Sequence, residues 1–402
     1  MKSLWGFFAK VGAMAAICVF YPIGLDAATK HYVVTNDDVS GPNTVTFFLA
    51  GGTTFAPTLT QFKTVKTGGK GLGGGYFGMV RQVLVRDGAD ECIFAADGAS
   101  NDIAAIVFHK QEIVGNYQGS STDSDGPGGM GLAVHPSDKY VYAAFSASQT
   151  IATFSIGSGC TLVFVSDVNA AGLKGGFPHG MAARGSTLVV AYGDGSIESF
   201  NISAGSPVSN NDLQLSTGYV KDGVFPDGVD ITKDGHYAIF GDASGGFSEV
   251  DVSDLSSGKL APTVKYGGPS GSLGKGIAAN NVWLSPDETL LYVGDNLSGQ
   301  VTAAHFNKTA GTLRFACISK PLRGYGTKWA YAGAIVTETT TGNGAIVWVA
   351  EGGNGSSPSS IGILEVTLQR GKCTLTESSK SPAHDSNSLN LSWLNAFPAR
   401  PF

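Results

Sequence analysis

One short segment recurs seven times along the chain, and nothing else in the sequence restricts the fold as much. It is an apolar strand ending in a small residue or an acid: HYVVTND from His31, ECIFAAD from Glu91, KYVYAAF from Lys139, TLVVAYG from Thr187, HYAIFGD from His236, TLLYVGD from Thr289 and AIVWVAE from Ala345. The spacings suit a four-stranded repeat of roughly 40–50 residues with loop insertions. A strand and a polar turn precede the segment in several copies, as in AVHPSDKY, DITKDGHY and WLSPDETL. Pro, Asp and Gly in those turns are hairpin chemistry. A Gly/Ser/Asn turn and an alternating strand follow, such as QTIATFSI (149–156) or GSIESFNI (195–202), and period-two alternation marks a strand with one face buried. A fourth strand completes the unit, as in CTLVFVSD (160–167).

Seven such units predict an all-β, seven-bladed propeller over residues 28–402. The first copy, at Tyr32, has no strand before it, whereas SLNLSWLNAFPAR (388–400) follows the last blade as a lone strand. Joining the two closes the ring and removes an open sheet edge. An open β-solenoid is the alternative, but it leaves the C-terminal strand unexplained. Composition agrees with many short strands and tight turns: 57 of 402 residues are Gly, 42% are hydrophobic and only 14% charged. The net charge of −6 argues against a nucleic-acid partner, which calls for a basic surface.

Residues 1–27 read as a signal peptide. Lys2 gives a positive start, Leu4 to Val19 is mostly apolar, and Leu25-Asp26-Ala27-Ala28 is a small-residue exit. The run is short for a spanning helix, so an uncleaved anchor is the secondary reading, and no membrane span is expected after cleavage. The expected address is secreted or periplasmic and the expected state a monomer. Of five cysteines, Cys18 leaves with the signal; Cys92, Cys160, Cys317 and Cys373 remain, an even number in an exported chain. Three pairings are possible, and proximity of adjacent blades prefers Cys92 with Cys160 and Cys317 with Cys373. Buried free thiols are the alternative.

Propellers bind ligands where the central channel opens on one face. That face carries the loops entering each inner strand and the ends of the second strands. Aligning the repeats places GMG (129–131), PHG (178–180), PDG (226–228) and ANN (279–281) in register, with Arg81 or Gln82 at the equivalent position of blade 2. His179, Asp227 and Asn280 then aim an imidazole, a carboxylate and an amide at the channel mouth from three successive blades. Such a set can do acid–base work, and Asp227 with Asn280 can ligate a cation; the alternative is a hydrogen-bonded plug. The second strands end at Asp37, Asp97, Phe145, Tyr192, Asp242, Asp295 and Glu351. Five acids at one rim predict an electronegative face, with Asp242, Asp295 and Glu351 as substrate-binding candidates, unless they cap turns.

The blades AVHPSDKYVYAAF, DITKDGHYAIFGD and WLSPDETLLYVGD resemble those of the seven-bladed lactonase family, which includes 6-phosphogluconolactonase and fungal carboxymuconate-lactonising enzymes. The resemblance runs from about Tyr32 to the end. It implies a histidine in a Pro-His pair entering an inner strand, matched here by His179, and partners from neighbouring blades. Where the family's second strands end in asparagine with arginine or glutamate, this chain has GDAS (241–244) and GDNL (294–297). PDG is also similar to a motif of calcium-dependent gluconolactonases, which implies a possible calcium ion at Asp227. The chain itself requires no cofactor. The expected function is hydrolysis of a sugar-acid or similar lactone, with His179 as base; the alternative is a non-catalytic propeller that binds a protein, glycan or small ligand.

Overall fold

The computed structural model describes residues 30–53, 56–73, 83–86, 90–120, 131–216, 226–242, 249–267, 273, 279–295, 297–324, 335–341, 344–352, 358–369, 371–387, 391 and 393–397. The proposed signal peptide lies outside them. Seven antiparallel sheets follow one another along the chain, as the repeats predict. Their inner strands are Trp393–Phe397, Val83–Arg86, Leu132–Val134, Pro178–Arg184, Pro226–Ile231, Ala279–Leu284 and Ile335–Thr341, for blades 1 to 7. The recurrent segments are the second strands, from His31–Asn36 in blade 1 to Gly344–Glu351 in blade 7.

The turn between inner and second strand shows why one sequence pattern gives one local structure. In blades 3, 5 and 6 its fourth residue is left-handed: Asp138 (φ 57°), Gly235 (φ 72°) and Glu288 (φ 58°). Each of these donates its N–H to the carbonyl three residues back, at 2.8 Å in all three blades. A side chain locks the turn from inside: Thr232 Oγ1 donates to Asp234 Oδ1 (2.6 Å) and Ser285 Oγ to Asp287 Oδ1 (2.7 Å), while in blade 3 Ser137 donates its N–H to His135 Nδ1 (2.9 Å). The polar turn residues thus set each hairpin independently of its neighbours.

Strand faces then pack blade on blade. Phe94 and Ala105 of blade 2 meet Val141 and Phe154 of blade 3 in one apolar cluster. Ile239 and Val250 of blade 5 meet Val293 and Ala304 of blade 6 in another, and Trp348 of blade 7 meets Val33, Phe47 and Ile93 across the closure. Because each second strand is buried on both faces, it reads as a nearly continuous apolar run.

The ring closes as expected. Trp393–Phe397 pairs with His31–Asn36 from Asn36 opposite Trp393 to Tyr32 opposite Phe397. A second tie precedes it: Ala383–His384 pairs with Ser360 and Ile361 of blade 7, and Thr35 Oγ1 of blade 1 lies 3.1 Å from Asp385 Oδ2. Disulfides link Cys92 to Cys160 and Cys317 to Cys373, so blade 2 is tied to blade 3 and blade 6 to blade 7. They span 68 and 56 residues; closing loops of that size restricts the unfolded chain by about 4 kcal/mol each in the chain-entropy account.

Candidate functional site in the central channel

The mouth of the channel is built by irregular pairing. Pro178 pairs with Tyr192 and the next pair is Met181 with Val190; Pro226 pairs with Asp242 and the next pair is Val229 with Phe240; Ala279 pairs with Asp295 and the next pair is Asn281 with Gly294. His179, Asp227 and Asn280 each follow the residue opposite the end of a second strand, so their backbones share one register, inside a bulge. Blade 3 comes close here: a Cβ on Gly131 would lie 1.8 Å from the His179 carbonyl oxygen, so only glycine fits.

The side chain of His179 does not open onto the mouth, which corrects the expectation. It is 0% exposed, its ring 6.0 Å from that of Phe177. Burial pulls its pKa down to about 4, against the opposing pull of the Tyr192 backbone and the Asp194 carboxylate. The imidazole is therefore neutral at pH 7 and, in this conformation, out of reach of a bulk water. A bulge turns the extra residue away from the direction that simple counting along a strand assigns to it. The side chains of Asp227 and Asn280, and the whole of Arg81, Gln82 and Met130, lie outside the described residues.

The acids at the ends of the second strands are not an exposed rim either. Asp37, Asp97, Asp242, Asp295 and Glu351 are all at most 2% exposed. Asp37 accepts hydrogen bonds from the hydroxyls of Thr35, Thr44 and Thr46, each at 2.6 Å. Asp97 accepts from Asn43 Nδ2 (2.6 Å) and Thr67 Oγ1 (2.9 Å), Asp295 from Thr302 Oγ1 (2.8 Å), and Glu351 from Ser360 Oγ (2.6 Å). Beside Asp242, its cross-strand neighbour Glu249 meets Lys265 Nζ at 2.6 Å. The carboxyls fasten second strands to third strands and, at Asp97, blade 1 to blade 2. Burial raises Asp97 to about 8 and Glu351 to about 7, and holds Asp37 well above the ordinary carboxylate range. Asp242, Asp295 and Glu351 are buried rather than exposed at a rim, and Asp295 and Glu351 are held by hydroxyls of the following strand. Alternating Thr and Ser on the following strand were the signal for this, as in NTVT (43–46).

Polar groups that do face the channel come from within the inner strands. A cavity of about 90 Å³ has walls from blades 1 to 6, mostly aliphatic, with Arg184, Asp230, Asn281, Trp283, Trp393 and Asn395 among its lining residues. Asp230 Oδ2 accepts the N–H of Leu284 from the next blade at 2.8 Å, and Asn395 Nδ2 donates to the Val83 carbonyl at 3.4 Å. Each bond satisfies an inner-strand backbone group that would otherwise face the axis unpaired. Sequence reasoning passed over these residues; their signal is a polar side chain inside a buried run, as in DGVDI (227–231) or SWLNAF (392–397). No group of three or more His, Cys, Asp or Glu that could hold a metal occurs among the described residues.

The family described as lactonase, 7-bladed beta-propeller, matches residues 132–392. No curated protein sequence matches the chain. Among solved structures, a candidate 6-phosphogluconolactonase from Bacteroides uniformis superposes with a TM-score of 0.65 at 12% identity, covering 91% of this chain and 99% of that one. A second such protein from Bacteroides fragilis gives 0.64 at 16% identity, covering 94% and 99%. The periplasmic gluconolactonase of Pseudomonas aeruginosa gives 0.59 at 14% identity, covering 91% and 98%. At such identities the superpositions establish the shared fold, and the family match extends over more than half of the sequence. The chain belongs to the lactonase family of seven-bladed β-propellers.

Proposed function

We propose that this is an exported lactone hydrolase working at the channel mouth, on a sugar-acid or similar lactone. The observation that carries the reading is the common register of three chemistry-bearing residues on blades 4 to 6, beside the channel of a propeller of this family. In ring opening, water adds to the lactone carbonyl carbon and gives up a proton to a base. The resulting oxyanion needs hydrogen-bond donors, and the ring oxygen leaves with a proton to give the hydroxy acid. Asp227 is assigned as the water-activating group, or as a ligand of a calcium ion, and the Asn280 amide as oxyanion donor, with Arg81 or Gln82 contributing from blade 2. His179, buried and neutral, is assigned a positioning role: it holds the bulge from which its neighbours project.

Turnover of a panel of aldono- and muconolactones, with and without chelator, tests the reading. Wild type should open at least one, and Asp227→Asn should lower that rate by ~10²–10⁴-fold with little change in melting temperature. A wild type that opens none overturns it. A non-catalytic binding propeller is then the remaining reading, and one observation favours it: the family's histidine position carries a side chain sealed from solvent. Export rests on the N-terminal sequence and on disulfides between adjacent blades. Sequencing the exported chain should find a start near Ala28, and an intact Met1 on the exported protein would argue against cleavage.

A further inference from the structure

We infer that the interior of the channel is a subsite for the carboxylate of a hydroxy acid, the product class of lactone opening; the identity of that acid rests on the function proposed above. The cavity of about 90 Å³ has room for several waters, and its donors and acceptors are unequally paired. Asp230 and Asn395 already accept backbone hydrogen bonds. Asp230 Oδ1 accepts the Ile231 N–H at 2.9 Å and Oδ2 the Leu284 N–H at 2.8 Å, and Asn395 Oδ1 accepts the Ala396 N–H at 2.8 Å. Two donors on the same wall lack such a bond. Asn281 Nδ2 and Trp393 Nε1 are buried without a hydrogen-bond partner among the described residues, on side chains that are 2% and 5% exposed. The guanidinium of Arg184, 4% exposed, and the carboxylate of Asp230, 6% exposed, lie on the same wall.

The two donors occupy matching places. Asn281 lies opposite Gly294 in blade 6 and Trp393 opposite Asn36 in blade 1, each facing the residue just before an acid of the recurrent segment (Asp295 and Asp37), on the two blades that flank blade 7. A buried donor without an acceptor costs the free energy of desolvating it. Two of them, in a cavity walled largely by aliphatic side chains such as Leu132, Val229 and Val282, form a preorganised setting for a group rich in acceptors. A carboxylate suits it, because its two oxygens offer about four acceptor sites and no donor.

The test titrates the full chain with potassium gluconate and, as the uncharged counterpart, with sorbitol at the same low concentrations, followed by thermal melting and tryptophan fluorescence. Gluconate should raise the melting temperature saturably and sorbitol should not. Trp393→Phe keeps an aromatic side chain, though a smaller one, and removes the donor; Asn281→Leu removes the amide at nearly constant volume. Unliganded Asn281→Leu should melt at or above wild type, since an orphan donor is gone, whereas Trp393→Phe also leaves a void in a buried cluster; each should bind gluconate about tenfold or more weakly. No saturable gluconate shift, or an equal shift with sorbitol, overturns the carboxylate assignment. An Asn281→Leu protein that melts well below wild type yet binds gluconate unchanged overturns the subsite, because resident water then satisfies the donor. Lactone turnover is assayed separately. Gluconate binding without turnover supports the subsite and overturns the enzyme reading; turnover without gluconate binding does the reverse.

Discussion

The ends of the second strands and the wall of the channel both bury polar side chains, and they treat them in opposite ways. At the strand ends the carboxyls of Asp37, Asp97, Asp295 and Glu351 are met by hydroxyls and amides from the neighbouring strand. On the channel wall Asn281 and Trp393 hold donors that no described residue accepts. The first arrangement returns the desolvation cost as hydrogen bonds inside the blade and stiffens it. The second leaves that cost outstanding, which a protein retains where something else completes the bond. Position alone does not separate structural from functional polar groups in this ring; satisfaction does.

The largest expected effect breaks the comparison at its foundation. Deleting residues 386–402 removes Trp393 and Asn395 from the wall, leaves every strand-end acid in place, and strips blade 1 of its inner strand with the buried Leu391, Leu394 and Ala396. The truncated chain should be insoluble or far less stable. A variant that melts within a few degrees of full length would mean that closure does not hold the ring. Next in size, Asp37→Ala leaves the hydroxyls of Thr35, Thr44 and Thr46 without their shared acceptor and should destabilise by about 3 kcal/mol in denaturant unfolding. The change Asn281→Leu on the wall is expected to have no such cost, and an equally small effect at Asp37 would erase the contrast.

The smallest effect is a slope with pH. Asp97 at about 8 and Glu351 at about 7 lie above the values of an unfolded chain, so the folded state holds protons that the unfolded state releases. Their contribution is complete below about pH 4 and is lost as pH rises through 7 and then 8. Melting temperature should therefore fall between pH 5 and pH 8. Glu351→Gln should remove its share of the slope from about pH 4 up to about 7, and Asp97→Asn its share from about pH 4 up to about 8. His179 acts in the opposite sense: with its folded pKa near 4, below that of the unfolded chain, it costs stability as pH drops from about 6.5 towards 4. A melting temperature that rises from pH 5 to pH 8 would show that the strand-end carboxyls are ionised in the folded protein.

The architecture was legible because each blade carries its own instructions. The left-handed turn residues Asp138, Gly235 and Glu288 and the apolar second strands act locally, so counting repeats suffices. The register of His179, Asp227 and Asn280 was legible for the same reason, since it depends only on distance from the second strand. What the sequence did not reveal is side-chain direction within a bulge, and so the burial of His179. The fate of the acids was hidden differently. Whether Asp97 faces water depends on Asn43 and Thr67, 54 and 30 residues earlier in another blade. Asn281 was passed over in favour of its neighbour Asn280 because only the ladder shows which of the two lies in the pairing.

Closure by the last strand also imposes an order in time. Residues 31–36 leave the ribosome long before their pairing partner, residues 393–397, is made. Until then blade 1 presents an unpaired edge while the six blades behind it assemble, and the contact that ends this wait is among the most distant in sequence, hence slow to form. During that delay another molecule's terminal strand has the same sequence and fits the same edge. Crowded nascent chains are therefore set to exchange terminal strands, and dilute ones to close on themselves.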